Sequence, residues 1–348
     1  MRSEPNYNTI PVGQLGIIAL PGCEELANKI DNYLIRWRFQ RNSEHKDTLA
    51  FAGYEKSTYL INMDFPRFGT GEGKAALNQT VRGYDIYILC DVFNYGVTYK
   101  MYGMTVPMSP DEHFANLKRA ISAIEGKAKR VSVIMPMLYE GRQHKRSSRE
   151  SLDCAMMLQE LHNMGVENFI TFDAHDPRVM NAIPLCGFES ISPAYQMIKA
   201  AVNNVDNLKI NKDNIMIISP DEGGMSRCIY YSTVLGVELG MFYKRRDFSR
   251  IVDGRNPIIA HEFLGDNVEG KDVIIVDDMI SSGESMIEVA TKLKELKAAR
   301  IYIFSAFGLF CNGFDAFDKA FQEGIIDRVF TTNLIYGTPE LLSKDWYI

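Results

Sequence analysis

The stretch VIIVDDMISSGES, residues Val273–Ser285, decides the fold expected for this chain. Its first four residues form a continuous apolar run of strand length, which predicts a strand buried on both faces of a parallel sheet. Asp277 and Asp278 follow where that strand is expected to end, and small polar residues then form a loop. The apolar spacing after the loop predicts a helix over Ser285–Lys297.

This strand–loop–helix unit predicts a binding site for a phosphorylated sugar. Ligands of open α/β sheets bind beyond the carboxyl ends of the strands. A small-residue loop leading into a helix offers free backbone N–H groups and the positive end of the helix dipole to an anion, usually phosphate. Asp277 and Asp278 are suited to two neighbouring hydroxyl groups or to a hydrated divalent cation. Phosphate, diol and metal together indicate a ribose phosphate.

The composition indicates an ordinary globular protein and excludes some functions. The 348 residues are enough for two domains, and 24% charged with 46% hydrophobic residues is a usual balance. The formal net charge of −6 argues against a nucleic-acid partner. No apolar run approaches membrane-spanning length, so no membrane contact is expected. The six scattered cysteines and the absence of an apolar signal core in residues 1–10 predict a cytoplasmic protein with reduced thiols.

Apolar strand-like runs alternate with helical patterns along the chain, which predicts βα units and mainly parallel sheets. Strands are expected at Leu15–Leu20, Ile86–Cys90, Val131–Met135, Phe169–Phe172, Ile215–Ile218, Val273–Val276 and Ile301–Phe304, and further helices at Glu24–Leu34, Asp111–Ile124 and Ser151–Met164. Two α/β halves fit the length, with a junction near residue 195. We expect residues 36–56 to form a polar surface insertion and residues 94–110 a mobile active-site or contact loop.

Four further polar clusters carry candidate chemistry. Arg142–Arg146 suits a polyphosphate, because Arg binds phosphate bidentately and Lys binds it as a point charge. Asp173–Asp176 contains a histidine between carboxylates, which suits a metal or a metal-bound water. Ser219–Gly224 permits close backbone approach, and Lys244–Arg246 suits charge developing in phosphoryl transfer. Each cluster alone is also compatible with a solvated turn; the order of all four with Val273–Ser285 favours a functional site.

That order resembles the ribose-phosphate pyrophosphokinase family, the phosphoribosyl pyrophosphate synthetases, from about Ile17 to Asn333. The resemblance is carried by VRGYDIYIL, GRQHKRSSRE, FDAHD, SPDEGG, YKRRDF and VEGKDVIIVDDMISSGES. It implies an α/β fold of two tandem phosphoribosyltransferase-like (type I) domains, each a mainly parallel sheet flanked by helices. Residues 1–195 and 196–330 would form these domains, and a tail of residues 331–348 would return to the N-terminal domain.

The resemblance also implies a reaction and a role for each matching residue. The 1-hydroxyl of ribose 5-phosphate would attack the β-phosphorus of ATP, giving phosphoribosyl pyrophosphate and AMP. The implied contacts are Arg142, Gln143, His144 and Glu72 for ATP; His175 and Asp221 for Mg²⁺; Lys244 and Arg246 for catalysis; and Asp221, Asp277, Asp278, Ser281, Ser282, Gly283, Glu284 and Ser285 for ribose 5-phosphate. Members of the family form dimers assembled into hexamers, so a homo-oligomer with an adenine site shared between subunits is implied.

Several positions depart from the family pattern and keep a second reading open. His144 stands where the family commonly has Asp, Thr70 replaces an acidic residue, Ser281 replaces an Asp common in bacterial members, and Glu284 replaces a Gly. The departures indicate a divergent member. They are also compatible with a catalytically weak or inactive nucleotide-binding paralogue that regulates or scaffolds a true synthetase. A nucleobase phosphoribosyltransferase would need the phosphate loop but neither the arginine-loop segment nor the histidine segment. The presence of both segments argues against that function.

The carboxylate of Glu284 would oppose a phosphate if it pointed into the loop. Ser281 to Glu284 fits a capping box, with Ser281 as the N-cap and Glu284 at the third helical position. In that geometry the carboxylate bonds back to the backbone of its own loop. We therefore expect Glu284 not to oppose the phosphate, although it would compete with it for one of the backbone donors.

Overall fold

The structure is a computed structural model that describes residues 12–44, 56–246 and 258–348, with only the backbone described for residues 41–44, 244–246 and 258–261. The chain divides into two compact units. The first contains residues 1–191 and 334–336, and the second contains residues 192–333 and 337–348. Within the described ranges, no helix combines the length and the apolar character needed to cross a bilayer.

The first unit is built on a five-stranded sheet in which all strands run parallel. Its strands are β1 (Gln14–Ala19), β2 (Met63–Asp64), β3 (Ala76–Leu77), β4 (Tyr84–Leu89), β5 (Thr98–Met101), β6 (Met104–Pro107), β7 (Arg130–Ile134), β8 (Asn168–Phe172) and β9 (Gly187–Ile191), and its helices are α1 (Glu24–Glu44), α2 (Pro110–Ile124) and α3 (Asp153–Asn163). The main sheet has the order β1-β4-β7-β8-β9, while β2-β3 and β5-β6 form two small antiparallel pairs. The main core lies where the apolar faces of α2 and α3 cover β4 and β7, and α1 packs in a smaller cluster with β1.

The second unit has a six-stranded sheet in the order β12-β11-β10-β13-β14-β15, in which the described β11–β12 pair is antiparallel. The strands are β10 (Ile215–Ser219), β11 (Glu238–Arg246), β12 (Ile258–Leu264), β13 (Asp272–Ile280), β14 (Ile301–Gly308) and β15 (Arg328–Thr331), and the helices are α4 (Ala194–Asn204), α5 (Met225–Leu235), α6 (Glu284–Glu295), α7 (Asp315–Gln322) and α8 (Pro339–Leu342). All five residues of β10 are buried, as expected for a strand covered on both faces.

Both units use the same ion pair at the start of a central strand. Arg130 donates from Nε and Nη2 to the two carboxylate oxygens of Asp85, at 2.8 and 2.5 Å. Arg300 binds Asp272 in the same bidentate way, at 2.9 and 2.5 Å. In each unit the arginine stands at or just before the next parallel strand, so the pair ties two neighbouring strands together at their amino ends.

The seven predicted strands and the predicted helices are confirmed, with ends that differ by a few residues except in α1, which continues ten residues beyond the predicted end at Leu34. The strands β9, β11, β12 and β15, of which β9, β12 and β15 lie at sheet edges, were not predicted, because their apolar runs are short or interrupted. The predicted polar insertion at residues 36–56 is wrong for residues 36–44, which continue α1; residues 45–55 lie outside the described ranges. The predicted mobile loop at residues 94–110 contains instead the hairpin β5–β6, turned by Tyr102 and Gly103 at φ 48° and 78°.

The last residues of the chain divide between the two units. Leu334–Tyr336 belong to the first unit, where the Tyr336 N–H donates to Asp91 at 2.9 Å. Residues 337–348 belong to the second unit. There the N–H of Val329 donates to the Trp346 carbonyl at 2.7 Å, and the N–H of Ile348 donates to the Val329 carbonyl at 2.9 Å. We expected the whole tail of residues 331–348 to return to the first domain. In the structure only Leu334–Tyr336 of this tail belong to the first unit.

The bidentate pair at the start of β13 makes a stability prediction. Replacing Arg300 by Met leaves the buried carboxylate of Asp272, which is 7% exposed, without its cation. We expect the free energy of unfolding to fall by about 2 kcal/mol, because an uncompensated buried charge is costly. Urea unfolding measures this. Lys292→Met removes an exposed ion pair to Glu295 and is the control, with a change below about 0.5 kcal/mol. Equal losses in both variants would contradict the structural role of the pair.

Candidate active site

The strand β13 carries the carboxylate pair and continues beyond it. Asp277 pairs with Ser305 of β14, and the pairing extends to Ile280 and Gly308. The expectation that the strand ends before Asp277 is therefore wrong, because β14 is long enough to keep pairing. The side chain of Asp278 is buried at 4% exposure, whereas that of Asp277 is 25% exposed. Asp278 is thus the more enclosed of the two neighbouring carboxylates.

The loop after β13 is short and tightly held. Gly283 has φ 82° and is the N-cap of α6, and a Cβ at this position would overlap the buried ring of Phe317. Ser281 and Ser282 directly follow the last residue of β13 and are half-buried. The first N–H groups of α6 have no carbonyl partner within the helix. The loop therefore presents backbone donors and a helix N-terminus, which is the geometry of an anion site.

The expected capping box is wrong. Gly283, not Ser281, caps the helix without a side-chain hydrogen bond, and Glu284 is the first helical residue instead of the third. The N–H of Glu284 lies 3.5 Å from the hydroxyl oxygen of Ser282. Glu284 and Ser285 are exposed. A carboxylate in the first turn interacts favourably with the positive end of the helix dipole. Because the Glu284 side chain is exposed to solvent, it does not fill the loop. The loop therefore remains open to a phosphate, although not through the capping box that the sequence predicted.

The charge of Asp277 is set by its neighbours. Burial raises the pKa of Asp277 well above its usual range, and the adjacent Asp278 raises this pKa further. The N–H of Asp278 donates to Asp277 Oδ1 at 2.9 Å, and the guanidinium of Arg227 lies 3.8 Å from the same oxygen. Sequence reasoning missed Arg227. Its signal was an Arg in the first turn of a helix, directly after the Ser219–Gly224 segment.

The segment Ser219–Gly224 forms the turn that leads from β10 into α5. The hydroxyl of Ser219 donates to the Asp221 carbonyl at 2.6 Å. Asp221 Oδ1 accepts hydrogen bonds from the N–H groups of Gly223 and Gly224, at 2.8 and 3.3 Å. Asp221 is thus held by its own turn at the carboxyl end of β10, the strand next to β13.

The predicted catalytic residues Lys244 and Arg246 lie at the end of β11 rather than in a loop. Their backbones pair with His261 and Ile258 of β12, with an irregularity between Arg245 and Arg246. Their side chains, and residues 247–257, lie outside what the structure describes. The strand β11 adjoins β10, so the basic residues and Asp221 belong to neighbouring strands of one sheet.

In the first unit, the structure brings together two clusters that are far apart in sequence. The rings of His144 and His175 are 5.2 Å apart, and His144 Nε2 lies 3.5 Å from Asp176. The N–H of Gln143 donates to the Glu140 carbonyl at 2.8 Å, which shapes the loop that carries the basic residues. Arg142 is exposed on this loop, whereas Gln143 and His144 are half-buried.

Burial favours a neutral His144. Burial lowers the pKa of His144 below its usual value, although Asp176 opposes this shift. Bidentate hydrogen bonds from Arg178 lower the pKa of Asp176 to about 2, so this carboxylate stays ionised. Among the described residues, the buried Nδ1 of His144 has no hydrogen-bond partner. A neutral imidazole with an unused nitrogen is suited to accept a hydrogen bond or to bind a metal.

Within the described ranges, no group of three or more His, Cys, Asp or Glu side chains could hold a metal ion. Mg²⁺ does not need such a group, because it usually keeps several waters and takes only one or two protein ligands together with substrate phosphates. The half-buried residue His144 lies beside His175, the histidine expected to bind the metal. Asp221 belongs to the other unit, and its part in metal binding stays a prediction.

Glu72 lies in a tight turn that the hairpin β5–β6 braces. The N–H of Phe68 donates to the Glu72 carbonyl at 2.8 Å, and the hydroxyl of Thr70 donates to the Glu72 carboxylate at 2.9 Å. The N–H of Tyr102, at the tip of the hairpin, donates to the Gly69 carbonyl at 2.8 Å. Thr70 therefore supports Glu72 directly. Phe68 and Glu72 are both exposed on the surface of the turn.

Comparison with known proteins identifies the family. A family model described as the N-terminal domain of ribose phosphate pyrophosphokinase matches residues 15–165, and a model described as a phosphoribosyl transferase domain matches residues 188–308. The ribose-phosphate pyrophosphokinase of Vibrio parahaemolyticus is 26% identical over 279 residues, which is 79% of each chain. That of Shewanella oneidensis is 27% identical over 280 residues, again 79% of each chain. The chain belongs to the ribose-phosphate pyrophosphokinase family.

This pyrophosphokinase family member also matches a solved fold. The crystal structure of phosphoribosylpyrophosphate synthetase from Mycobacterium smegmatis has a TM-score of 0.72 at 19% identity, and the match covers 96% of this chain and 93% of that chain. The likeness shows a shared fold. The predicted α/β fold with phosphoribosyltransferase-type domains is confirmed.

The close contact at Gly283 makes a prediction for this pyrophosphokinase. Gly283→Ala adds a Cβ at φ 82° against the ring of Phe317, so we expect the free energy of unfolding to fall by about 3 kcal/mol. Gly313→Ala is a matched control, because Gly313 has φ 80° with no atom within 4 Å of its Cβ position. Its cost is about 1 kcal/mol, from the backbone alone. Urea unfolding of both variants separates the two effects, and equal losses would show that Phe317 does not constrain the loop.

Proposed function

We infer that the protein is a ribose-phosphate diphosphokinase, which transfers the pyrophosphoryl group of ATP to the 1-hydroxyl of ribose 5-phosphate. The products are phosphoribosyl pyrophosphate and AMP. The observation that carries this inference is the carboxylate pair of β13 leading into a loop that caps α6 with Gly283, in a chain of the pyrophosphokinase family. In the proposed arrangement, the domain of residues 1–195 supplies the ATP contacts and the domain of residues 196–330 supplies the ribose 5-phosphate contacts.

The acceptor side of the site is proposed to lie at the end of β13. The 5-phosphate accepts hydrogen bonds from the backbone and hydroxyl groups of Ser281–Ser285, because these groups surround the N-terminus of α6. Asp277 and Asp278 accept hydrogen bonds from ribose hydroxyls. Asp221, at the end of the neighbouring strand β10, faces the same edge of the sheet and completes the sugar contacts.

The donor side is proposed to use the first domain. Arg142 is exposed and free to bind the ATP phosphates bidentately, while Gln143 and the neutral His144 offer further hydrogen bonds. Glu72, held by Thr70, contacts the adenine. These roles rest on the resemblance of the matching segments and on the contact between the two clusters of the first unit.

Mg²⁺ is the proposed metal, held by His175 and Asp221. When bound, the ion would neutralise polyphosphate charge and polarise the phosphoryl oxygens. His144, whose ring lies 5.2 Å from that of His175, is proposed to contact the ATP close to this ion. Lys244 and Arg246 then stabilise the negative charge that develops as the bond between the α- and β-phosphates breaks.

The remaining expectations stay proposals. We propose a homo-oligomer, as a dimer or hexamer, located in the cytoplasm. The alternative of an inactive regulatory paralogue rests on the departures at His144, Thr70 and Glu284. Thr70 supports Glu72, and Glu284 leaves the phosphate loop open, so two of the three departures are compatible with an active site.

Turnover tests the proposed function directly. We expect purified protein with Mg²⁺, ATP and ribose 5-phosphate to form AMP and phosphoribosyl pyrophosphate in equal amounts, measured by chromatography. Lys244→Ala should lower kcat roughly 10²–10³-fold, because it removes a charge that acts in the transition state. Lys292→Ala, on the exposed face of α6, is the control and should match the parent. Nucleotide binding without AMP formation at any Mg²⁺ concentration would instead favour the regulatory paralogue.

The metal assignment is tested by binding in the absence of turnover. We expect His175→Ala to raise the Mg²⁺ concentration needed for tight ATP binding by roughly tenfold, because one protein ligand is lost. Calorimetric titration with ATP at several Mg²⁺ concentrations, without ribose 5-phosphate, measures this. His162→Gln serves as the control, because it alters a histidine of α3 whose Nδ1 lies 3.2 Å from the Val166 carbonyl oxygen. An unchanged Mg²⁺ dependence in His175→Ala would reject His175 as a ligand.

A further inference from the structure

Arg227 occupies a position that helix stability does not explain. It is the third residue of α5, whose N-cap is Gly224. The N-terminal turn of a helix carries the positive end of the dipole, so a cation there is disfavoured and a carboxylate is preferred. The helix α5 nevertheless has no acidic residue in its first turn. We therefore expect Arg227 to interact with a group outside α5.

The guanidinium of Arg227 faces the first carboxylate of β13. Arg227 Nη1 lies 3.8 Å from Asp277 Oδ1, and the side chain of Arg227 is only 12% exposed. The same Oδ1 accepts the N–H of Asp278 at 2.9 Å. A shielded cation on one side and a backbone donor on the other anchor this oxygen. Charge pairs in such partly buried places are screened less by salt than surface pairs.

The charged groups facing Asp277 come from two elements. Asp278, on the same strand, raises the pKa of Asp277 in addition to the effect of burial, whereas Arg227 on α5 lowers it. A protonated carboxyl group donates one hydrogen bond, while an ionised one only accepts. Sugar hydroxyls that must donate to Asp277 are therefore served best when Arg227 holds the charge in place.

We propose that Arg227 is a positioning residue for the acceptor sugar, which fixes the Asp277 carboxylate in direction toward the ribose hydroxyls. The proposal rests on the proposed function, because it assigns the carboxylate pair to ribose 5-phosphate. Arg227 acts through Asp277 and does not contact the reacting phosphorus. Its loss should therefore weaken binding of the sugar and leave binding of ATP unchanged.

The variants Arg227→Met and Arg227→Lys test this. Met keeps the helix propensity and much of the side-chain volume but removes the charge, whereas Lys restores the charge. We expect Arg227→Met to raise KM for ribose 5-phosphate at least about tenfold, because the Asp277 carboxylate loses its cationic partner. KM for ATP should stay within about twofold, because Asp277 is proposed to contact ribose 5-phosphate and not ATP. Arg227→Lys should recover most of the lost affinity.

Two readouts separate positioning from simple loss of structure. Circular dichroism and the thermal midpoint show whether Arg227→Met is folded, with Lys292→Met as a control for loss of one exposed charge in the same unit. The acid limb of kcat/KM for ribose 5-phosphate should move to higher pH in Arg227→Met, because the carboxylate loses the cation that lowers its pKa. A merely structural residue would lower activity at all pH values alike.

A double-mutant cycle with Asp277→Asn decides the outcome. In the Asn background, the change from Arg227 to Met should add little further loss of affinity, because the charge that Arg227 controls is already absent. Additive losses, or a parental KM and pH profile in Arg227→Met, would overturn the proposal. Calorimetric binding of ribose 5-phosphate without ATP keeps this result separate from the proposed function. If the parent binds the sugar phosphate but makes no AMP, the proposed function fails while the role of Arg227 is still decided by the same variants.

Discussion

The ring of Phe317 leaves no space for a side chain at Gly283, and this contact determines the path of the chain between β13 and α6. Phe317 is fully buried against Phe310 and stacks on Trp346, with ring centres 5.0 and 5.3 Å apart. The N–H of Cys311 also donates to the Ser281 carbonyl at 2.8 Å, so the segment after β14 holds the start of the loop.

The end of the chain therefore supports a loop that lies more than sixty residues earlier in the sequence. Trp346 donates from its indole N–H to Asp318 at 2.7 Å, and Lys344 binds the same carboxylate at 2.7 Å. These bonds fix Trp346 against α7, and α7 presents Phe317 to the loop. An anion site made of backbone N–H groups needs such external support, because its donors cannot adjust as side chains can.

Much of the fold was predictable from sequence, because parallel strands covered on both faces have continuous apolar runs that alternate with helical patterns. Val273–Val276 is the clearest case. The further extent of β13 was not predictable, since pairing of Asp277–Ile280 depends on the length of β14 and not on local propensity. The N-terminus of α6 was misassigned because Ser281 and Glu284 satisfy a capping box locally, whereas packing against Phe317 requires a left-handed residue at position 283.

The candidate site shows the same division between local and distant information. Its polar clusters could be located, since each lies at or just after the carboxyl end of a strand. The approach of His144 to His175 could not, because it joins segments thirty residues apart through the order of β7 and β8 in the sheet. Arg227 was missed because its partner Asp277 lies fifty residues away on β13, so that its position in the first turn of α5 does not by itself show what it contacts.

The most direct test of this account is a crystal structure of the protein with ribose 5-phosphate. The account predicts that the phosphate lies against the backbone N–H groups of residues 281–285 at the N-terminus of α6. It also predicts that ribose hydroxyls lie within hydrogen-bond distance of the Asp277 and Asp278 carboxylates. A sugar phosphate bound elsewhere, with this loop empty, would contradict it.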